Sequence, residues 1–300
     1  MSAPDEVLFT VSGGVSLALS SWGSARADAT PVVLLHGLSQ QRAFWNPVVT
    51  RLRARPLAVL DQRGHGDSDT DPAADFSISA CADDVIAALD HLGWPTAVVI
   101  GHSWGASVAL RAAAAHPGRI TGAGLVDGGL FSPSGLGPRD AVRAQLTPPS
   151  LGIPEDDLWA MIRAGDLGPW WRPEVREALA PTFVVGPDGL MRSRLGLERH
   201  LSVLEGMLDY EPTGDLDACQ QNGTPVWAAV CEPRPAGPPP TGLALRWREA
   251  KDRALSDAAG RPTCVVHRWV GAIHDVPLQW PALVAGFVDA LVEDVDGGTT

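Results

Sequence analysis

The sequence predicts an α/β fold, a mostly parallel sheet flanked by helices and interrupted by an inserted, mostly helical cap. Three observations carry this expectation. From Pro31 onward, short β-branched runs alternate with longer alanine-rich or leucine-rich stretches, the pattern of βαβ units. Those short runs are mostly apolar, as strands of a sheet covered on both faces are. Between the fourth and fifth of them lie about 95 residues without a comparable run, far beyond an ordinary connection.

The elements follow in chain order. Val7 to Val11 and Val15 to Leu19, separated by Ser12-Gly13-Gly14, form an opening hairpin. Buried strands are expected at Val32 to His36, Leu57 to Asp61, Ala97 to Gly101, Ile120 to Asp127, Val226 to Cys231 and Thr263 to Val270. The chain thus divides into a first core part (1–131), a helical cap insertion (132–222) and a second core part (223–300). Within the cap, helical segments are expected near Arg139 to Leu146, Asp156 to Ala164, Pro173 to Ala180 and Leu190 to Leu208. The proline-rich run Pro233 to Pro240 precedes a helix from about Thr241 to Ser256, with Thr241 as its N-cap, and Pro281 to Val292 forms a closing helix.

A formal charge of −12 argues against a nucleic acid or an anionic membrane surface as partner. No window has the apolar length of a membrane span, and the acidic start of the chain lacks the features of a secretory signal, so a cytoplasmic location is expected. Cys81, Cys219, Cys231 and Cys264 are scattered without a CxxC pair, which suits reduced core thiols rather than a zinc site. No metal or cofactor motif is present, a small molecule is the expected partner, and nothing in the sequence defines an oligomeric state.

The chemistry concentrates in Gly101-His102-Ser103-Trp104-Gly105, which follows an expected strand and precedes the helical stretch Ala106 to His116. A bare G-x-S-x-G is weak, but the strand, turn and helix around it are the context of a nucleophile elbow. A serine hydroxyl is a poor nucleophile until a base takes its proton, so Ser103 requires an imidazole elsewhere. His274 fits best, because it lies in a loop just beyond the last expected strand. His91, His116 and His200 fall on or beside helices, His267 sits inside a strand, and His36, His65 and His102 belong to glycine-rich turns.

Taken in order, Val32 to Gly37, Asp61-Gln62-Arg63-Gly64-His65-Gly66-Asp67-Ser68, the Ser103 elbow and the His274 loop resemble the α/β-hydrolase superfamily from about Pro31 to Val292, the cap excepted. The resemblance implies a serine, acid and histidine triad. Most members carry the acid soon after the strand equivalent to Val226 to Cys231, but here that position holds Arg234. Some lineages place it at the end of the preceding core strand, which is Asp127 in Leu125-Val126-Asp127-Gly128-Gly129. Asp127 is therefore the expected acid, with Glu232 and Asp275 as alternatives. The backbone N–H groups of Leu38 and Trp104 are the expected oxyanion donors, and the segment from Asp61 to Ser68 is expected to brace the Leu38 loop through Arg63 and Asp67.

Trp159, Trp170 and Trp171 in the cap, with Trp104, suggest an aromatic-lined pocket for a bulky apolar substrate. Hydrolysis of a small ester or lactone through an acyl-enzyme is the expected reaction. Thioester, amide and carbon–carbon cleavage stay open. So does a proline-iminopeptidase-like activity, although its His-Gly-Gly-Pro loop is replaced here by His36-Gly37-Leu38-Ser39. A catalytically silent small-molecule receptor on the same fold is the non-enzymatic alternative.

Overall fold

The computed structural model describes residues 3–11, 13–23, 29–69, 71, 74–148, 152–234 and 242–297. The first strands are β1 (Asp5–Thr10), β2 (Ser16–Trp22), β3 (Val32–Leu35), β4 (Leu57–Asp61), β5 (Ala97–His102) and β6 (Ile120–Val126). A small hairpin of β7 (Phe183–Val185) and β8 (Met191–Ser193) comes next, then β9 (Val226–Glu232) and β10 (Cys264–Val270). All except that hairpin join one sheet in the order β1-β2-β4-β3-β5-β6-β9-β10. β1 and β2 pair antiparallel and β2 runs antiparallel to β4, whereas every pairing from β4 to β10 is parallel.

From β2 to β6 both faces of this sheet are largely dry, and alternation divides the strand residues between two cores. Val33, Leu35 and Val99 point to one side, and Val32, Leu34, Val98 and Ile100 to the other. Helices α1 (Asn46–Val49), α2 (Ile78–Leu92) and α3 (Trp104–Ala115) follow successive parallel strands. α2 begins on the Ser77 hydroxyl, which accepts the Ala80 N–H, and ends on Gly93 in the left-handed conformation. The inserted segment contributes α4 (Arg139–Leu146), α5 (Glu155–Ala164), α6 (Pro173–Leu179) and α7 (Leu197–Asp209), and its residues Leu136, Val142, Leu204 and Leu208 make a satellite core.

α8 (Thr213–Asn222) departs from the expected cap boundary, since its Leu216 and Cys219 join the main core together with α3. α9 (Gly242–Ala259), α10 (Val276–Gln279) and α11 (Pro281–Gly297) complete the chain. The expected N-cap Thr241 and most of the preceding proline-rich run lie outside the described residues.

One cap element differs from expectation. Leu190 to Leu208 is not one helix, because Met191–Ser193 pairs with Phe183–Val185 and α7 starts only after Gly196, at φ 73°. The missed signal is Asp188-Gly189, a turn pair flanked by strand-forming residues, with Gly189 at φ 77°.

The sheet topology places the site. From β3 the chain turns to β4 on one side, then crosses to β5 on the other, so the connections leave the carboxyl ends of β3 and β5 in opposite directions, a topological switch point. The Leu38 loop follows the first of these strands and Ser103 follows the second.

Candidate active site

Ser103 occupies the tight turn between β5 and α3, at φ 54° and ψ −117°. An L-residue tolerates this region only under constraint, and the packing supplies it. A Cβ on Gly101 would lie 2.0 Å from the Gly105 carbonyl oxygen, and one on Gly105 would lie 2.5 Å from that of His36. Strand and helix can therefore approach this closely only with glycine at both positions. The Ser103 N–H donates to Val126 O at 2.9 Å, which ties the turn to the end of β6. α3 starts at Trp104 and presents its N-terminal N–H groups beside the serine.

His274 Nε2 lies 3.1 Å from Ser103 Oγ, and its Nδ1 lies 2.7 Å from Asp127 Oδ2. With Nδ1–H directed at the carboxylate, Nε2 is left with its lone pair facing the serine hydroxyl. Burial opposes the charged form of His274, but the hydrogen bond to Asp127 and the charges of Asp127 and Asp275 outweigh it and raise its pKa above the usual 6.5. Burial likewise opposes ionisation of Asp127. Its bonds to His274 and Lys251 overcome that and hold the carboxyl well below the usual range.

The other acids turn elsewhere. Glu232, at the end of β9, pairs with Arg268 on the neighbouring β10, and Arg234 is exposed. Asp275 opens α10, its carbonyl accepting the N–H groups of Leu278 at 2.9 Å and Gln279 at 3.0 Å, and burial pushes its carboxyl pKa up.

Gly37 brings the β3 loop against Ser103, since a Cβ there would lie 3.1 Å from Ser103 Cβ. Among the described residues, neither the Leu38 nor the Trp104 N–H has a hydrogen-bond partner. Buried histidines hold the loop in shape. Ser39, at φ 66°, donates its N–H to His65 Nε2 at 3.2 Å, and its hydroxyl meets His200 Nδ1 on α7 at 3.0 Å. His65 Nδ1–H donates to Arg63 O at 3.0 Å, and burial, then the neighbouring His36, keeps the ring neutral. His36 accepts the Gln62 N–H at 3.1 Å, and burial lowers its pKa to about 4.

Arg63 and Asp67 do not brace the loop as the sequence suggested. Arg63 grips Asp84 on α2 with two bonds of 2.6 Å, whereas Asp67 pairs with Arg42 and Arg194. The long arginine side chains make these pairings, Arg63 reaching out to α2 and Arg42 and Arg194 reaching in to Asp67.

The aromatic residues divide similarly. The Trp104 indole is fully buried and stacks on His65 at 5.2 Å, so this side chain belongs to the core while its backbone faces the serine. Trp159 is 4% exposed, packed against Trp171 and Phe183 with Arg176 over its ring. Trp170 and Trp171 are half-buried, Trp170 meeting Trp280 edge-on at 5.8 Å.

Two contributors lay outside the sequence reading. His102 donates Nε2–H to the His274 carbonyl at 2.8 Å with the two rings 4.8 Å apart, and burial lowers its pKa to about 3. Its place in the elbow was a signal for such a role. Lys251 on α9 lies 2.9 Å from Asp127 Oδ1, and no local pattern announced it. The four cysteines are free and buried, and among the described residues no group of three or more His, Cys, Asp or Glu side chains is arranged to hold a metal ion. No described helix is long and apolar enough to cross a membrane.

A mostly parallel sheet with a serine elbow at its carboxyl edge defines the class by its architecture, the α/β-hydrolase fold, and the family model for the alpha/beta hydrolase fold matches residues 30–177. The chain is 34% identical over 125 residues to lipase LipV of Mycobacterium tuberculosis, a match covering 42% of this chain and 47% of that protein. To the "Putative carbamate hydrolase RutD" of Escherichia coli O157:H7 it is 31% identical over 185 residues, covering 58% of this chain and 66% of the relative. The chain thus spans less than two thirds of the length of these relatives. Among solved structures, E-2-(acetamidomethylene)succinate hydrolase superposes with a TM-score of 0.71 at 21% identity, over 96% of this chain and 100% of that one. The thioesterase domain from the curacin biosynthetic pathway gives the same score at 18% identity, over 96% and 99%.

Proposed function

We propose that this protein is a serine hydrolase that cleaves the acyl bond of a small ester or lactone through an acyl-enzyme. The observation that carries the reading is the continuous hydrogen-bonded line from Ser103 Oγ through His274 to Asp127, at 3.1 and 2.7 Å. In this mechanism His274 Nε2 takes the hydroxyl proton as Ser103 attacks the carbonyl carbon. Asp127 stabilises the imidazolium and fixes its tautomer, and the Leu38 and Trp104 N–H groups receive the developing oxyanion. His274 then gives its proton to the leaving oxygen. Water, activated by the same imidazole, attacks the acyl-enzyme and frees Ser103.

Similarity to the lipase supports an ester, and of the three cap tryptophans Trp170 and Trp171 are half-buried whereas Trp159 is packed away. Similarity to the RutD proteins favours a second reading, carbamate cleavage by the same triad. Both are tested by a panel of esters, lactones, thioesters and carbamates run beside a fluorophosphonate probe. Ser103→Ala is expected to lose all turnover and all labelling while melting within about 2 °C of wild type, since it changes one half-buried hydroxyl. Wild-type turnover by the pure variant overturns the assignment. The preferred leaving group in the panel decides between ester and carbamate.

A further inference from the structure

Lys251 is the only lysine in a sequence with 22 arginines, and it stands at the triad acid. Its Nζ donates to Asp127 Oδ1 at 2.9 Å and to Cys231 O at 2.6 Å, while the Cys231 N–H donates to the same Oδ1 at 3.0 Å. One carboxylate oxygen is thus committed to α9 and β9, and the other to His274 at 2.7 Å. The carboxylate is 10% exposed and the lysine 22%, so the charges meet largely out of water.

The residue type matters. An arginine can take both oxygens of an acid with its planar fork, as Arg63 does with Asp84 and Arg192 with Asp188. A fork at position 251 would compete with His274 for Oδ2, whereas an ammonium is a point charge that can hold one oxygen. α9 is itself fixed against the inserted segment. Leu243, Trp247 and Ala250 pack on the Leu136, Val142, Leu204 and Leu208 cluster, Trp247 meets Phe131 edge-on at 5.2 Å, and Arg246 bonds Leu136 O. Lys251 lies one turn beyond Trp247, so this packing sets where its ammonium reaches.

We propose that Lys251 is a positioning residue of the triad: together with the Cys231 amide it occupies Oδ1 of Asp127, presents Oδ2 alone to His274, and offsets the carboxylate's charge beside the base. The role rests on the hydrolase reading above. The charged and titratable groups around His274 are Asp127 from the end of β6, Asp275 from its own loop, Lys251 from α9 and the neutral His102 from β5. The two carboxylates raise the imidazole pKa and the lysine lowers it, so removing the lysine must raise it further.

The test is a histidine NMR titration of the whole protein, with the His274 signal assigned by its loss in His274→Gln, run beside the pH profile of fluorophosphonate labelling. In Lys251→Met the His274 midpoint is expected to rise by about half a pH unit or more, and the acid limb of labelling to move with it. Lys251→Gln, which keeps a polar end and loses the charge, covers the case of a methionine variant that does not fold and should shift the same way. Lys251→Arg is expected to slow labelling at neutral pH about tenfold or more by drawing Oδ2 away. A folded Lys251→Met or Lys251→Gln protein with an unmoved or lowered midpoint overturns the proposal, as does wild-type labelling by Lys251→Arg. Failure of the wild type to label at all would sink the hydrolase reading instead, and the NMR titration would still report on Lys251.

Discussion

β6 and β9 lie side by side, run parallel and both lead to a carboxylate at the same edge of the sheet, yet only one of those acids meets His274. β6 ends at Val126, level with Ala229, and Asp127 turns off the strand at φ 46°. β9 continues to Glu232, level with Val270 of β10, where the Arg268 guanidinium meets the Glu232 carboxylate. The difference teaches that where a strand stops, and which cation waits there, selects the acid. Residue type alone does not.

The largest expected effect comes from Asp127. Asp127→Asn should slow turnover about a thousandfold or more, because an amide can hold His274 in the wrong tautomer. Steady-state kinetics on the folded variant checks this, and a small loss would erase the contrast between the two strand ends. The next effect has a sign. Labelling of the wild type should fall on the acid side with a midpoint above the ordinary imidazole value, because protonating the raised His274 removes the base. Without the Asp127 charge, burial of His274 dominates and the midpoint should drop below that value. A midpoint that rises in Asp127→Asn would sink this electrostatic account. The smallest effect is expected from Glu232→Gln. It should change turnover less than about threefold, leave the midpoint in place and cost at most about 1 kcal/mol in denaturant unfolding, as for a part-exposed ion pair. If Glu232→Gln proves the more damaging change, the roles of the two strands are reversed.

How far the site could be read from sequence follows the range of the interactions. The elbow is local, since Gly101 and Gly105 fix the approach of strand and helix around Ser103, and five consecutive letters carry it once the strand before and the helix after are read with them. Asp127 was legible through a substitution, Arg234 standing where relatives keep an acid. The hairpin at Asp188-Gly189 was missed because helical periodicity after Leu190 masked a turn signal just before it. Lys251 could not be found, because its meeting with Asp127, 124 positions earlier, depends on where α9 docks. The packing of Trp159 and of the Trp104 indole was equally hidden, since an aromatic side chain reads the same in a pocket and in a core.

Among the described residues, three other than glycine have positive φ, and all belong to this corner: Ser39 at 66°, Ser103 at 54° and Asp127 at 46°. Each such conformation costs on the order of 1 kcal/mol, and glycine at the same place would relieve most of it. At Asp127 other bonds oppose that relief, because glycine there would leave the Lys251 ammonium and the Cys231 N–H without their carboxylate. The pull toward glycine is therefore felt at Ser103, whose hydroxyl meets only His274 among the described residues. Keeping serine at such a backbone position holds this turn away from its own stability optimum, whatever the rest of the chain gains.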